Sequence, residues 1–129
     1  MAVTHTTTVR NGIADYVVDL CDAGAGAGKL IFRITGSTAA APATEVATLT
    51  FSDPAFGAAA SGTATASAIT SDTSATGGTI AFATLEDDSS TVVAHCAVGT
   101  SGSDINLSSL TVGAGDTVSV SALTYSAPS

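Results

Sequence analysis

Beyond Lys29 the chain runs in short stretches that alternate apolar and small polar residues, and a turn signal interrupts it about every ten residues. Few folds satisfy that rhythm other than stacked antiparallel strands. Lys29 to Thr35 sets Leu30, Phe32 and Ile34 on one side and Ile31 and Arg33 on the other. After the small-residue loop 36–43, Glu45 to Phe51 places Ala47, Leu49 and Phe51 on one face. Ser52-Asp53-Pro54 then breaks the run, because proline cannot donate to a ladder. Phe56 follows in an Ala/Gly loop, where it plugs an end of the core. Residues 62–70 alternate Thr or Ser with Ala, which suits a strand lying beneath a close neighbour. Ile80 and Phe82 pair by pattern with Val93 and His95 across the polar turn Glu86 to Ser90. Ile105, Leu107 and Leu110 come next, and Gly113 to Asp116 opens onto Val118, Val120 and Ala122, opposed by Leu123 and Tyr125. No helix-length segment separates these strands, so the pairing is expected to be antiparallel.

One segment has helical spacing. Val9, Ile13, Tyr16, Val17 and Leu20 recur on one face, which the pattern assigns to the core. Asp15, Asp19 and Asp22 fall on another face, assigned to water. Thr7 or Thr8 suits the N-cap, and Gly24 follows the last turn. Gly12 costs this helix about 1 kcal/mol relative to alanine. The expected fold is therefore mainly β. It is an antiparallel β-sandwich of about seven strands with one N-terminal α-helix over residues 8–22, covering an open face or edge. Residues 1–129 form a single domain, with an arm over 1–7 and the sandwich over 28–127. No fixed-period repeat is present.

Composition explains why such a chain needs company. Ala, Thr, Ser and Gly supply 75 of the 129 residues, and large apolar side chains only 31. Burying one of the latter contributes roughly 1.5–3 kcal/mol, while ordering each residue costs about 1.5 kcal/mol. The isolated monomer is thus expected to be marginal, and oligomerisation or docking on a partner relieves that. The net charge is −8, and the cations Arg10, Lys29 and Arg33 all precede residue 34. Binding to phosphate backbones needs clustered Lys and Arg, so nucleic acid and anionic membranes are excluded as partners. No run of 18 apolar residues occurs, and the N-terminus lacks the basic-then-apolar order of a signal peptide. That implies synthesis in a cytoplasm, with Cys21 and Cys96 as free thiols.

Motifs that carry chemistry are missing. The run Gly24 to Lys29 suggests a phosphate loop, but the spacing requires glycine at Ala23 and Ser or Thr at Leu30. The order helix, loop, strand also aims no helix N-terminus at a phosphate, so the run reads as a flexible link. His5, His95, Cys21 and Cys96 lack zinc spacing, and His95 and Cys96 point to opposite faces of one strand. Asp87-Asp88 lacks a calcium-loop pattern and reads as a solvated turn. Around Ser101 there is no nucleophile elbow. No Trp and two Tyr are poor material for a sugar platform beside paired carboxylates. Asn106-Leu107-Ser108 matches a glycosylation sequon by chance. No catalytic, cofactor-binding or metal residues are assigned, and the chain is expected to be non-enzymatic.

The segments Arg10-Asn11, Ala14-Asp15, Val18-Asp19-Leu20 and Gly26-Ala27-Gly28-Lys29-Leu30 resemble the opening of small proteins from tailed-bacteriophage virion modules. The likeness extends through Ala47 to Gly57 and the ending Gly115 to Ser121, and departs at the Ala-rich stretch within 31–43. These motifs form folds and carry no chemistry. The resemblance implies a virion structural protein of the head decoration (cement) type, bound to the major capsid protein on the outside of the shell. It also implies a virion location and a homotrimer or dimer on local symmetry axes. The polar, uncharged arm of Ala2, Val3, Thr4 and His5 with Thr6, Thr7 and Thr8 is the candidate capsid contact. Such an arm can add a strand to a neighbour's edge, and a frayed terminus explains the same residues equally well. Two other classes compete. A tail or fibre module binding a host surface or glycan would need exposed Tyr16 or Tyr125 beside acids, whereas the aromatics are expected to face inward. A small hydrolase would need His95 to converge with Asp87 or Asp104.

Overall fold

The computed structural model of the chain describes residues 3–34 and 44–128. The loop 36–43 and the end of the first strand at Thr35 lie outside them. Helix α1 (Thr7–Asp19) continues into a 3-10 turn, Leu20–Asp22. Its N-cap is Thr6, one residue ahead of the expected pair, with Oγ1 accepting from the Val9 N–H at 3.3 Å. Thr7 and Thr8 therefore belong to the first helical turn, and the arm ends at Thr6.

The strands are β1 (Lys29–Ile34), β2 (Glu45–Phe51), β3 (Thr63–Thr65), β4 (Ile69–Thr70), β5 (Gly78–Glu86), β6 (Val92–Gly99), β7 (Ile105–Asn106), β8 (Thr111–Val112) and β9 (Thr124–Ser126). The main sheet has the order β4-β2-β1-β5-β6-β7, with β8 also on β5, while β3 and β9 form a separate ladder. The protein is mainly β, with one α-helix and a curled mixed sheet. Pairing is antiparallel except where Val98 and Gly99 of β6 meet Ile105 and Asn106 of β7 in parallel. That departure from the expected pattern is a two-residue bridge closed by a tight loop, so it needs no helical crossover. The stretch 62–70 is split between the two sheets, with β3 on β9 and β4 on β2. The expected pairing of Val118–Ala122 with Leu123–Tyr125 is not formed. Instead Val118 bridges Asp72, and Tyr125 pairs with Ala64.

Helix α1 and the β3–β9 ladder lie over one face of the main sheet. A single core joins Ala14, Val18 and Cys21 to Leu30, Phe32, Leu49, Phe51 and Leu85, with Ala64 and Ala127 from the ladder. Small side chains let these layers approach closely, and for that reason Ala64 is fully buried beneath the helix. Bulges at three pairings, β1–β5, β1–β2 and β5–β6, reset the alternation. At the β1–β5 pairing Ala81 is left without a partner, which turns Ile80 into the core while Phe82 points to the other face. There Phe82 meets His95, ring centroids 5.6 Å apart. At the β1–β2 pairing Val46 is the unpaired residue, and it too is buried. The expected β5–β6 hairpin forms, but its turn begins at Asp87, because Glu86 ends β5 at 1% exposure, and its register differs: Phe82 pairs with Ala97 and Thr84 with His95, while Val93 is left unpaired.

That second face of the sheet is not simply wet. Ile31, Arg33, Thr84 and Glu86 are all buried. The Arg33 Nη2 donates to Glu86 Oε2 at 2.6 Å, its Nε to Thr84 Oγ1 at 3.2 Å, and the Thr84 hydroxyl to the same Glu86 oxygen at 2.6 Å. A buried charge pair of this kind persists only when both charges are hydrogen-bonded.

Candidate functional site

Of the candidate contact residues, Ala2 lies outside the described residues. Val3 to Thr6 precede the helix in no regular element, and Thr7 and Thr8 open it; all six are exposed. Val3 has 78% of its surface in solvent. The structure thus leaves these six residues exposed, in the lead-in and first turn of α1.

The outer face of α1 overturns most of the sequence assignment, although Ile13 packs half-buried against the core as expected. Val9, Tyr16 and Leu20 are exposed, Tyr16 at 69%, while the residues turned into the core are Ala14, Val18 and Cys21. The inward side is held by polar groups. Asp22 accepts the Ala55 N–H at 3.0 and 3.2 Å, Asp15 the Ala59 N–H at 2.7 Å, and Asn11 Oδ1 the Gly62 N–H at 2.7 Å. The Arg10 guanidinium turns the same way, to the Ala127 carbonyl at 3.4 Å. An Ala/Gly loop offers backbone donors that must be satisfied, and carboxylates at helical spacing satisfy them. Asp15 and Asp22 are therefore latches between helix and loop, not solvated charges. Burial above all pushes the Asp22 carboxyl up; its bond to Ala55 opposes that, and Asp53 and Asp19 add to it. The sequence carried the signal: Asn11, Asp15, Val18 and Asp22 repeat at helical spacing as regularly as the apolar stripe does.

A second latch closes the glycine run. The Gly26 N–H donates to Asp88 Oδ2 at 2.8 Å, and a side chain at Gly24 would overlap the same carboxylate. Gly24–Lys29 is thus bound to the β5–β6 turn and is no free link, and its open donor is taken by the chain's own acid. Asp87 shapes that turn, its Oδ1 accepting from the Ser89 and Thr91 N–H groups at 2.9 Å.

Beside β6 lies a groove of about 430 Å³, lined by Phe56, Leu85, Cys96, Leu123 and Tyr125 together with Asp104. Asp104 Oδ2 accepts the Ala97 N–H at 2.9 Å. His95 instead stacks on Phe82 across the sheet from Cys96, and Asp87 is committed to the turn. Among the described residues no hydrogen bond brings His95 together with Asp87 or Asp104. Cys21 and Cys96 are free. Burial, then the charges of Asp22, Asp87 and Cys96, pushes the Cys21 thiol up to about 12; burial and Asp104 push Cys96 up to about 11. Both are neutral at physiological pH, which makes them poor nucleophiles. Among the described residues no group of three or more His, Cys, Asp or Glu side chains is placed to hold a metal ion, and no helix is long and apolar enough to cross a membrane. Comparison with protein-family models, with curated proteins and with solved structures finds no match to the chain.

Proposed function

We propose that this chain is a non-enzymatic structural protein of a tailed-phage virion. In this reading it is a decoration (cement) protein, a sandwich-like β-module that binds the major capsid protein on the outer head surface and stabilises the shell across capsomer joints. The observation that carries the reading is the N-terminal surface, where Val3 stands in the open at the start of an exposed, uncharged lead-in to the helix. Val3 is joined by Val9, Tyr16 and Leu20 as exposed apolar side chains of the lead-in and the helix, and a neighbour that covers them together takes that surface out of water. The resemblance of the opening and closing segments to virion-module proteins supplies the partner. A module whose core is thin gains stability by mass action on a lattice, and self-association as a trimer or dimer adds to this on symmetry axes.

The groove at Tyr125 and Asp104, together with exposed Tyr16, supports a second reading, a tail or fibre module that binds a host-surface glycan. Co-sedimentation with emptied heads, compared with isolated tails, separates the two. Saturable binding to heads, lost when residues 2–5 are deleted with the Thr6 cap left in place, is the expected result. Binding to tails alone would replace this reading with the second one, and binding to neither would overturn it.

A further inference from the structure

The four exposed large apolar side chains among the described residues, Val3, Val9, Tyr16 and Leu20, all belong to the lead-in or to the α1 segment with its 3-10 extension. At helical spacing Val9, Tyr16 and Leu20 form one outward stripe. Gly12 lies beside it in the helix interior, and a Cβ there would meet nothing within 4 Å. Glycine at such a position lowers helix stability by about 1 kcal/mol relative to alanine, and no contact within the described chain requires it. Bare backbone at that point permits close approach by another molecule.

Charge indicates what that molecule is. The C-terminal end of α1 carries the negative pole of the helix dipole, and no basic residue in the last turn offsets it. Asp19 and Asp53 lie near enough to the same end for their charges to add to the upward push on the Asp22 carboxyl. The chain's cations lie elsewhere. Arg10 faces Ala127, Arg33 is buried against Glu86, and Lys29 begins β1. A second copy would therefore bring no basic side chain on its own stripe to meet that end.

We propose that the outer face of α1, formed by Val9, Gly12, Tyr16 and Leu20, seats in an apolar groove flanked by Lys or Arg side chains on the shell protein. The inference rests on the virion reading and names the surface that reading uses beyond the lead-in. Tyr16 fills the groove, Gly12 lets its wall approach the helix backbone, and exposed Asp19 meets its basic rim.

The test uses the full chain and emptied heads. Leu20→Glu and Tyr16→Ala alter exposed positions, so both variants should melt within a few degrees of the parent while head binding weakens at least tenfold. Gly12→Ala is the discriminating variant, because it should raise the melting temperature by about 2–4 °C yet weaken binding at least tenfold. Binding of the parent should also weaken as salt is raised. If the parent binds heads and all three variants bind within twofold of it, the helix face is not the contact and the virion reading stands. Salt-independent binding would overturn the basic rim. If the parent itself fails to bind, both proposals fall.

Discussion

Replacing Arg33 with Met should be among the most damaging single changes available to this chain, and adding Glu86→Leu should undo most of the damage. Glu86 is 1% exposed, and two of its hydrogen bonds are to the Arg33 guanidinium at 2.6 Å and the Thr84 hydroxyl at 2.6 Å. Arg33→Met leaves that carboxylate in the sheet with the hydroxyl and without its counter-charge. Removing one partner of a buried pair costs about 3–5 kcal/mol, a third or more of the stability of an ordinary domain. At about 3 °C per kcal/mol for a chain of this size, the melting temperature should fall by about 10–15 °C. The double variant Arg33→Met/Glu86→Leu replaces both charges by apolar groups of similar length. Such replacements are often neutral, so it should lie within about 2 kcal/mol of the parent. Urea unfolding of the four proteins, with slopes checked for constancy, gives the coupling energy directly. A cost below about 1 kcal/mol for Arg33→Met, or a double variant as unstable as the sum of its parts, would refute the reasoning.

Other parts of the structure make equally definite claims. Asp15→Ala removes the acceptor of the Ala59 N–H, and urea unfolding should show a loss of about 1–3 kcal/mol, with cleavage by protease in loop 55–62 rising in parallel. The Asp22 carboxyl is held above its ordinary value near 3.8, so the folded state takes up its proton before the unfolded state does. Its contribution therefore rises as pH falls from neutrality toward that value; Asp22→Asn should reduce this rise relative to the parent and match or exceed the parent's stability at pH 7. Gly24→Ala should lower the melting temperature by several degrees, since the added methyl displaces Asp88 from the Gly26 N–H. With thiols raised to about 12 and about 11, alkylation of Cys21 and Cys96 at pH 8 should be on the order of a hundredfold slower than that of a free cysteine, and fast in urea.

The strands were legible because alternation is a local property. Leu30 and Phe32, and Ala47 with Leu49 and Phe51, point where their pattern says, and the β5–β6 hairpin forms, though in another register. Bulges were not legible, because an unpaired Ala81 is indistinguishable in sequence from a paired one, yet it moves Phe82 away from Ile80. The buried charge pair was missed for a related reason. Arg33 and Glu86 are 53 positions apart, and only the antiparallel β1–β5 register brings them together. The helix misled most. Periodicity locates an apolar stripe but does not say whether the core or a partner receives it. Here small residues and hydrogen-bonding acids won the inward side, since the Ala/Gly loop beneath offers donors rather than apolar surface. The start of the helix was set one residue too late, because Thr6, Thr7 and Thr8 are equally able to cap.

The central claim, that this chain reinforces a phage shell from outside, is tested most directly by the heat stability of the head itself. Heads lacking the protein should disrupt at a lower temperature than heads loaded to saturation, the gain should follow occupancy, and protein lacking residues 2–5 should not provide it. Heads that bind the protein to saturation and disrupt at an unchanged temperature would contradict the claim.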